Sequence, residues 1–177
     1  TTKLSSGRTV TEEINVPESY PITNWDVTVE SWTPSENILR SEETIGDVHT
    51  VNTKVDTDKT DINVKLDELT TWNNIPEVGE TVSGIGYYNA KFNWDSSSAD
   101  GAYIDFGDEF YSSMKVWING QKVGGDVSAN PTKAPKSILE NYEGTEQYTG
   151  GISSTDPVAD ISKYLVDGEN TIYIEYS

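Results

Sequence analysis

Apolar and polar residues alternate along much of this sequence. The apolar positions of these runs are Val27 and Val29; Ile62, Val64 and Leu66; Tyr88, Ala90, Phe92 and Trp94; Ala102, Ile104 and Phe106; Met114, Val116 and Ile118; and Ile172, Ile174 and Tyr176. Because successive side chains of a strand point to opposite faces, this period of two predicts strands. No segment of useful length repeats apolar residues at helical spacing.

Turn signals separate these runs and favour antiparallel pairing. Asn119-Gly120 supplies the two residues that tolerate positive φ in a two-residue hairpin. Asp160 can cap a single helical turn, and Gly168 is expected to end it before the last strand. Roughly eight to ten strands with almost no helix predict an all-β, antiparallel β-sandwich of jelly-roll type.

The N-terminal third has a weaker pattern. We expect strands at residues 10–16 and 48–55, where the alternation is less regular. Pro17, Pro21 and Pro34 predict connections between the strands of this region.

One long segment, between Gly125 and Asp160, lacks clear periodicity. It contains prolines at 131, 135 and 157 and the aromatic residues Tyr142 and Tyr148. Long loops in compact domains are usually functional or disordered. Prolines and tyrosines around a candidate short helix at 136–142 favour an ordered loop.

Composition limits the classes of function. The chain has 177 residues and no cysteine, which excludes disulfides, thiolate metal sites and thiol catalysis. With 30 acidic and 12 basic residues its formal charge is −18, so nucleic acid and anionic lipid surfaces are unfavourable partners. No apolar run approaches the roughly 20 residues that span a bilayer, so we expect no membrane insertion.

The two ends of the sequence predict an excised piece. There is neither an initiator methionine nor a signal peptide, and the sequence stops just after its last predicted strand. We expect residues 1–177 to form a single β-sandwich domain of a larger multidomain protein. An extracellular or cell-surface location, of the kind found for secreted bacterial proteins, is the corresponding expectation.

Several stretches of the sequence resemble a known domain family. They are Trp25–Pro34, Leu69–Trp72, Pro76–Glu77, Ser83–Tyr88, Gly101–Gly107, Val116–Gly120, Asp160–Ile161 and Gly168–Ile172. Their order resembles the galactose-binding-like jelly roll of large glycoside hydrolases. The similarity is greatest to the accessory sandwich of family 106-type α-L-rhamnosidases and to the sugar-binding domain of family 2 enzymes.

The resemblance implies a non-catalytic carbohydrate-binding accessory module of an extracellular glycoside hydrolase, binding a glycan weakly through loops at one end of the sandwich. The alternative is a purely structural domain that packs on a catalytic domain and binds no ligand. In either case the expected neighbour is the catalytic domain of the same polypeptide, and the module is expected to be a monomer.

Catalysis and metal binding have little support in the residues. His49 is the only histidine, which rules out a multi-histidine metal site. Asp56 and Asp58 suggest a calcium loop, but an EF-hand requires glycine where Asp61 stands and normally glutamate where Asp67 stands. A structural calcium ion held by other oxygen ligands stays open, without named ligands.

Aromatic side chains are the better candidates for ligand binding, because flat rings match the apolar faces of sugars at low entropic cost. We predict that Tyr142, Tyr148 and Trp72 supply stacking surfaces and that Asn73 and Glu146 supply hydrogen bonds. For Trp72 a structural plug is the competing interpretation. The strand aromatics Phe92, Trp94 and Phe106 are expected in the core.

Overall fold

The computed structural model describes residues 2–11, 16–107, 110, 114–124, 152 and 157–177. Ten strands and two short 3-10 turns make up the regular structure of these residues. Within the described part of the chain, no helix has the length and apolar character needed to cross a membrane. The prediction of an all-β antiparallel sandwich is confirmed.

A six-stranded antiparallel sheet forms the larger layer. Its strands, in spatial order, are β4 (Val48–Leu66), β3 (Trp25–Ile45), β5 (Gly84–Trp94), β10 (Gly168–Tyr176), β7 (Met114–Ile118) and β8 (Gln121–Val123). Two smaller two-stranded sheets join β1 (Thr2–Lys3) to β2 (Thr9–Val10) and β6 (Tyr103–Asp105) to β9 (Val158–Asp160). The strands expected from alternation at residues 27–29, 62–66, 88–94 and 172–176 all lie in the larger sheet.

The main core lies between the six-stranded sheet and the β6–β9 sheet. The larger sheet contributes Val29, Val116, Ile118 and Ile172, each at most 1% exposed. Half-buried residues of the smaller sheet pack against them, including Ile104 and Ala159. The period-two pattern therefore identified the buried face of the central strands correctly.

The opposite face of the larger sheet carries a second buried cluster. Tyr87, Trp117 and Tyr173 are at most 3% exposed, with Ile85 packed against them. The ring centroids of Trp117 and Tyr173 are 5.4 Å apart, and the Lys122 ammonium nitrogen lies 5.0 Å from the centre of the Trp117 ring. Trp117 thus points away from Val116 and Ile118, as the alternation predicts.

Two asparagines join the C-terminal turns to each other. Asn119 and Gly120 both have positive φ, 50° and 78°, and close the predicted two-residue hairpin between β7 and β8. Asn119 also donates to the Tyr164 carbonyl (2.9 Å) and to Oδ1 of Asn170 (2.7 Å), the side chain of which is fully buried. The hairpin, the 3-10 turn and β10 are therefore connected through side chains.

The helical turn near Asp160 occurs as a 3-10 turn at Ser162–Tyr164. The prediction that Asp160 caps this turn is wrong, because the N-cap position is Ile161 and no side chain caps it. Asp160 lies one residue earlier and accepts a hydrogen bond from the Ser162 amide at 2.9 Å. Hydrogen bonding from the Ser162 side chain, and to a lesser degree from the Ser162 amide, holds the pKa of Asp160 below its usual value. The expected end of the turn at Gly168 is wrong, because the turn ends at Tyr164 and Gly168 begins β10.

The β3–β4 hairpin extends well beyond the sandwich. Strand β5 pairs with β3 only over Asp26–Ser31, and the Trp32 amide makes one further bond to the Ser83 carbonyl. Residues 33–58, named the arm, continue as a two-stranded ribbon to the turn that precedes Val48. At about 3.3 Å per residue, the arm projects roughly 40 Å.

The prediction that Pro34 marks a connection is wrong. Pro34 pairs with Thr57 inside the ribbon, and the register shifts between Pro34 and Ile38. A proline lacks the amide donor of a regular ladder position, but it is tolerated at an edge or at a β-bulge. The strand therefore continues through it.

Candidate functional site: a cleft beside the β6–β9 sheet

A cleft of about 810 Å³ opens beside the β6–β9 sheet. Its walls come from four segments that are far apart in sequence: Val16–Ile22, Glu68–Leu69, Phe92–Asp95 and Gly101–Phe106, with Trp25 and Ile161 also lining it. Ligand sites of small molecules are concave and of about this volume. A smaller groove of about 270 Å³ lies beside Asn89 on the larger sheet.

Three aromatic residues give the cleft accessible ring surface. Tyr103 on β6 is 72% exposed, Tyr20 is 55% exposed, and Trp94 at the end of β5 is half-buried. The Tyr20 hydroxyl donates to the Asn93 carbonyl at 2.5 Å, which ties the segment before β3 to the end of β5. Trp25 is buried and donates its indole N–H to the Ile22 carbonyl at 2.9 Å, so the same segment is held at its other end.

Carboxylates shape the turns around the cleft. Asp95 accepts from the amide and the hydroxyl of Ser97, at 2.9 and 2.6 Å, in the turn that follows β5. Asp167 accepts from both groups of Ser96 at 2.9 Å, and these bonds hold the pKa of Asp167 below its usual value, the amide bond contributing most. Asp105 accepts from the Gly107 amide at 2.8 Å. The rim is therefore fixed by local hydrogen bonds.

The charged residues that line the cleft are all acidic. They are Glu18, Glu68, Asp95 and Asp105, and each is exposed. No lysine, arginine or histidine is among the lining residues of the described chain. Together with the formal charge of −18, this arrangement disfavours anionic ligands such as uronic acids and leaves neutral ligands unpenalised.

Trp72, predicted as a stacking surface, lies in a 3-10 turn at Trp72–Asn74 and packs against the main core. Its indole N–H donates to the hydroxyl of Tyr88 at 2.7 Å. Burial of Tyr88 raises the pKa of its phenol, against a smaller opposite effect of this hydrogen bond. Asn73 is exposed and accepts a hydrogen bond from the Thr71 hydroxyl. Neither Trp72 nor Asn73 lines the cleft.

The other predicted binding residues, Tyr142, Glu146 and Tyr148, lie outside the described residues, as do residues 125–151 and 153–156 of the loop that carries them. The binding roles of all five residues stay predictions.

Sequence reasoning missed the cleft because its rings come from separate segments. Of the strand aromatics expected in the core, Phe92 is buried, Phe106 is half-buried and packs against the core, and Trp94 is half-buried. All three line the cleft. One local signal was available for Tyr103, because it alternates with Ala102 and Ile104 and must therefore point away from the core. For Tyr20 the sequence offers only a position between prolines.

The described part of the chain contains no group of three or more acidic or histidine side chains that could hold a metal ion. His49 is exposed on the arm, with Nδ1 3.0 Å from the Thr44 hydroxyl and Nε2 3.7 Å from the Glu42 carboxylate. A structural calcium ion therefore stays a prediction without ligands.

Comparisons with known proteins give no family. No family model matches the chain, and no curated protein matches it. Among solved structures, the chain is similar to a beta-glucuronidase from an uncultured Clostridium sp., with a TM-score of 0.38 and 13% identity. The similarity covers 94% of this chain and 24% of that chain, so this chain spans about a quarter of the length of that protein. A similarity of this size identifies neither the family nor the function.

Proposed function

We propose that the chain is a non-catalytic carbohydrate-binding module that holds a neutral glycan in the cleft beside the β6–β9 sheet. The observation that carries this proposal is the exposure of Tyr103, Tyr20 and Trp94 around one concave volume of about 810 Å³. Exposed aromatic rings in a cleft suit sugars, since the apolar C–H face of a sugar ring stacks on a flat side chain.

The polar groups of the cleft complement the rings. Glu18 and Glu68 are exposed carboxylates that line the same cleft as the aromatic residues, and carboxylate oxygens accept hydrogen bonds from sugar hydroxyls. The acidic lining favours a neutral sugar over a uronic acid, because burying two like charges together is unfavourable. The ligand class is therefore a neutral oligosaccharide.

For two other carboxylates of the cleft, Asp95 and Asp105, a structural role fits better than a catalytic one. Asp95 and Asp105 accept hydrogen bonds from neighbouring backbone amides and so serve to fix turns. A glycosidase requires one carboxylic acid and one carboxylate facing each other across the scissile bond. In this proposal the module is a galactose-binding-like domain of a larger secreted glycoside hydrolase and leaves the chemistry to a separate domain.

Isothermal titration calorimetry with neutral gluco-, manno- and xylo-oligosaccharides tests the proposal, with oligogalacturonate as the acidic comparison. We expect binding of at least one neutral ligand with a dissociation constant of about 1 mM, which corresponds to about −4 kcal/mol. Oligogalacturonate should bind more weakly. Absence of heat with every neutral ligand at millimolar concentration would contradict the proposal and favour the purely structural role.

Two matched variants assign any observed binding to the cleft. Tyr103→Ala removes an exposed ring and should weaken binding about tenfold with little effect on stability. Val158→Ala changes an exposed residue on β9, the strand paired with β6, that does not line the cleft, and should leave binding unchanged. Equal affinity of the two variants would place the site elsewhere.

A further inference from the structure

Strand β4 has a long open edge. It is the outermost strand of the six-stranded sheet, so none of the described strands pairs with its outer side over Val48–Leu66. Along the arm, no strand of the described residues pairs with the other side of β3 either, because β5 ends its pairing at Ser31. Among these residues the arm is therefore a ribbon of two strands with two unpaired outer edges.

Such a ribbon is unusual as a free element. An isolated two-stranded hairpin is marginally stable in water, and open edges are sites of pairing with another chain. The arm also exposes several aliphatic side chains, namely Ile38 (60%), Leu39 (61%), Ile45 (70%), Val48 (65%), Val51 (42%) and Val55 (47%). Both features indicate that the arm is used to contact another strand.

The sequence of β4 is complementary to itself when read in the opposite direction about Val55. An antiparallel pair with that centre places Val55 opposite Val55 of the second copy. The other facing residues are Lys54 with Asp56, Thr53 with Thr57, Asn52 with Asp58, Val51 with Lys59, Thr50 with Thr60, His49 with Asp61, and Val48 with Ile62. No like charges face each other in this register, and directly opposed Thr–Thr and opposite-charge pairs are favourable across strands.

This complementarity selects one register. Moving the centre by one residue would set Lys54 against Lys54 of the second copy, or Asp56 against Asp56. Like charges directly opposite each other destabilise a strand pair. Within one arm, Val55 pairs with Ile38 of β3. The centred register places these two residues next to Val55 and Ile38 of the second copy. An apolar cluster of four side chains would then cover one face of the joined sheet.

We propose that β4 pairs antiparallel with β4 of a second copy of this chain, centred on Val55, so that two arms form a four-stranded sheet. The two-fold axis passes through the middle of the arms, which places the two sandwiches at opposite ends of the joined sheet. The partner's arm then covers the open edge of β4 as far as Ile62. The protein is a dimer in this arrangement, in place of the monomer expected from its sequence.

Sedimentation velocity of charge-reversal variants tests this pairing. The unaltered chain should sediment as a dimer that dissociates on dilution. Lys54→Asp and Asp56→Lys each turn both facing ion pairs into like-charge pairs, and each alone should weaken dimerisation about 30-fold. When the two variants are mixed, every Lys54–Asp56 position faces an opposite charge again, and a heterodimer should form with the affinity of the original dimer.

The mixing step separates pairing between chains from changes within one arm, because each variant keeps its own altered strand. Lys3→Asp, a change of the same charge on an exposed residue of β1, is the control and should leave the dimer intact. A monomer at the highest soluble concentration of the unaltered chain would overturn the proposal. So would a dimer that Lys54→Asp leaves unchanged, or a mixture that stays monomeric.

Discussion

Replacement of Asn170 by alanine should destabilise the fold strongly. The side chain is fully buried at the start of β10 and makes four hydrogen bonds. Its Oδ1 accepts from the Val166 amide at 2.8 Å and from the Asn119 side-chain amide at 2.7 Å, and its Nδ2 donates to the carbonyls of Val166 at 2.8 Å and Gly168 at 2.9 Å. Alanine removes all four hydrogen bonds, so the Val166 and Gly168 backbone groups and the Asn119 side-chain amide lose the partner that Asn170 provides.

The size of the effect follows from these bonds. A buried hydrogen bond contributes about 1 kcal/mol net, so the loss should be about 4 kcal/mol. Because Val166 and Gly168 are exposed, water can replace part of the bonding there, and we expect a decrease of about 3 kcal/mol in the free energy of unfolding.

Urea denaturation followed by tryptophan fluorescence measures this change. With an m-value of about 2 kcal/mol/M, the unfolding midpoint should fall by about 1.5 M. Asn37→Ala, at an exposed position of β3 outside the proposed β4–β4 contact, is the control and should change stability by less than about 0.5 kcal/mol. Surface substitutions usually change the free energy of unfolding by less than about 0.5 kcal/mol. A change that small for Asn170→Ala would contradict the claim that the side-chain connection between the turns stabilises the fold.

Two further substitutions probe buried polar groups. Burial lowers the pKa of Lys122 to about 7, with a contribution from Lys115. The unfolded chain therefore binds more protons than the folded one between pH 7 and 10.5, and stability should rise with pH in that window by at most about 1.4 kcal/mol per unit. Urea titrations at several pH values should show that Lys122→Met reduces this slope; an unchanged slope would refute the assignment. Trp72→Phe removes the donor to Tyr88 and should lower the free energy of unfolding by about 1 kcal/mol while leaving glycan binding intact, whereas a loss of binding at unchanged stability would support the stacking role.

The parts of the fold that depend on neighbours in sequence could be predicted, and those that depend on distant segments could not. Alternation located the buried face of β5 and β10, and the pair Asn119-Gly120 located a hairpin, because both are local properties. The strand expected at residues 48–55 is confirmed as part of β4. The continuation of β3 through Pro34, and with it the length of the arm, was missed because proline is typical of the connections between strands. The cleft was missed because Tyr20, Trp94 and Tyr103 are far apart in sequence and line one cleft only in the folded chain.

The most direct test of the glycan-binding cleft is an NMR titration that follows the indole N–H signals of the tryptophans. The probe is the neutral oligosaccharide that gives the largest heat. We expect the signal of Trp94, which lines the cleft, to shift with ligand concentration, while those of Trp72 and Trp117, which pack away from the cleft, stay in place. A shift of Trp72 with Trp94 unchanged, or no shift at all at saturating ligand, would contradict the location of the site.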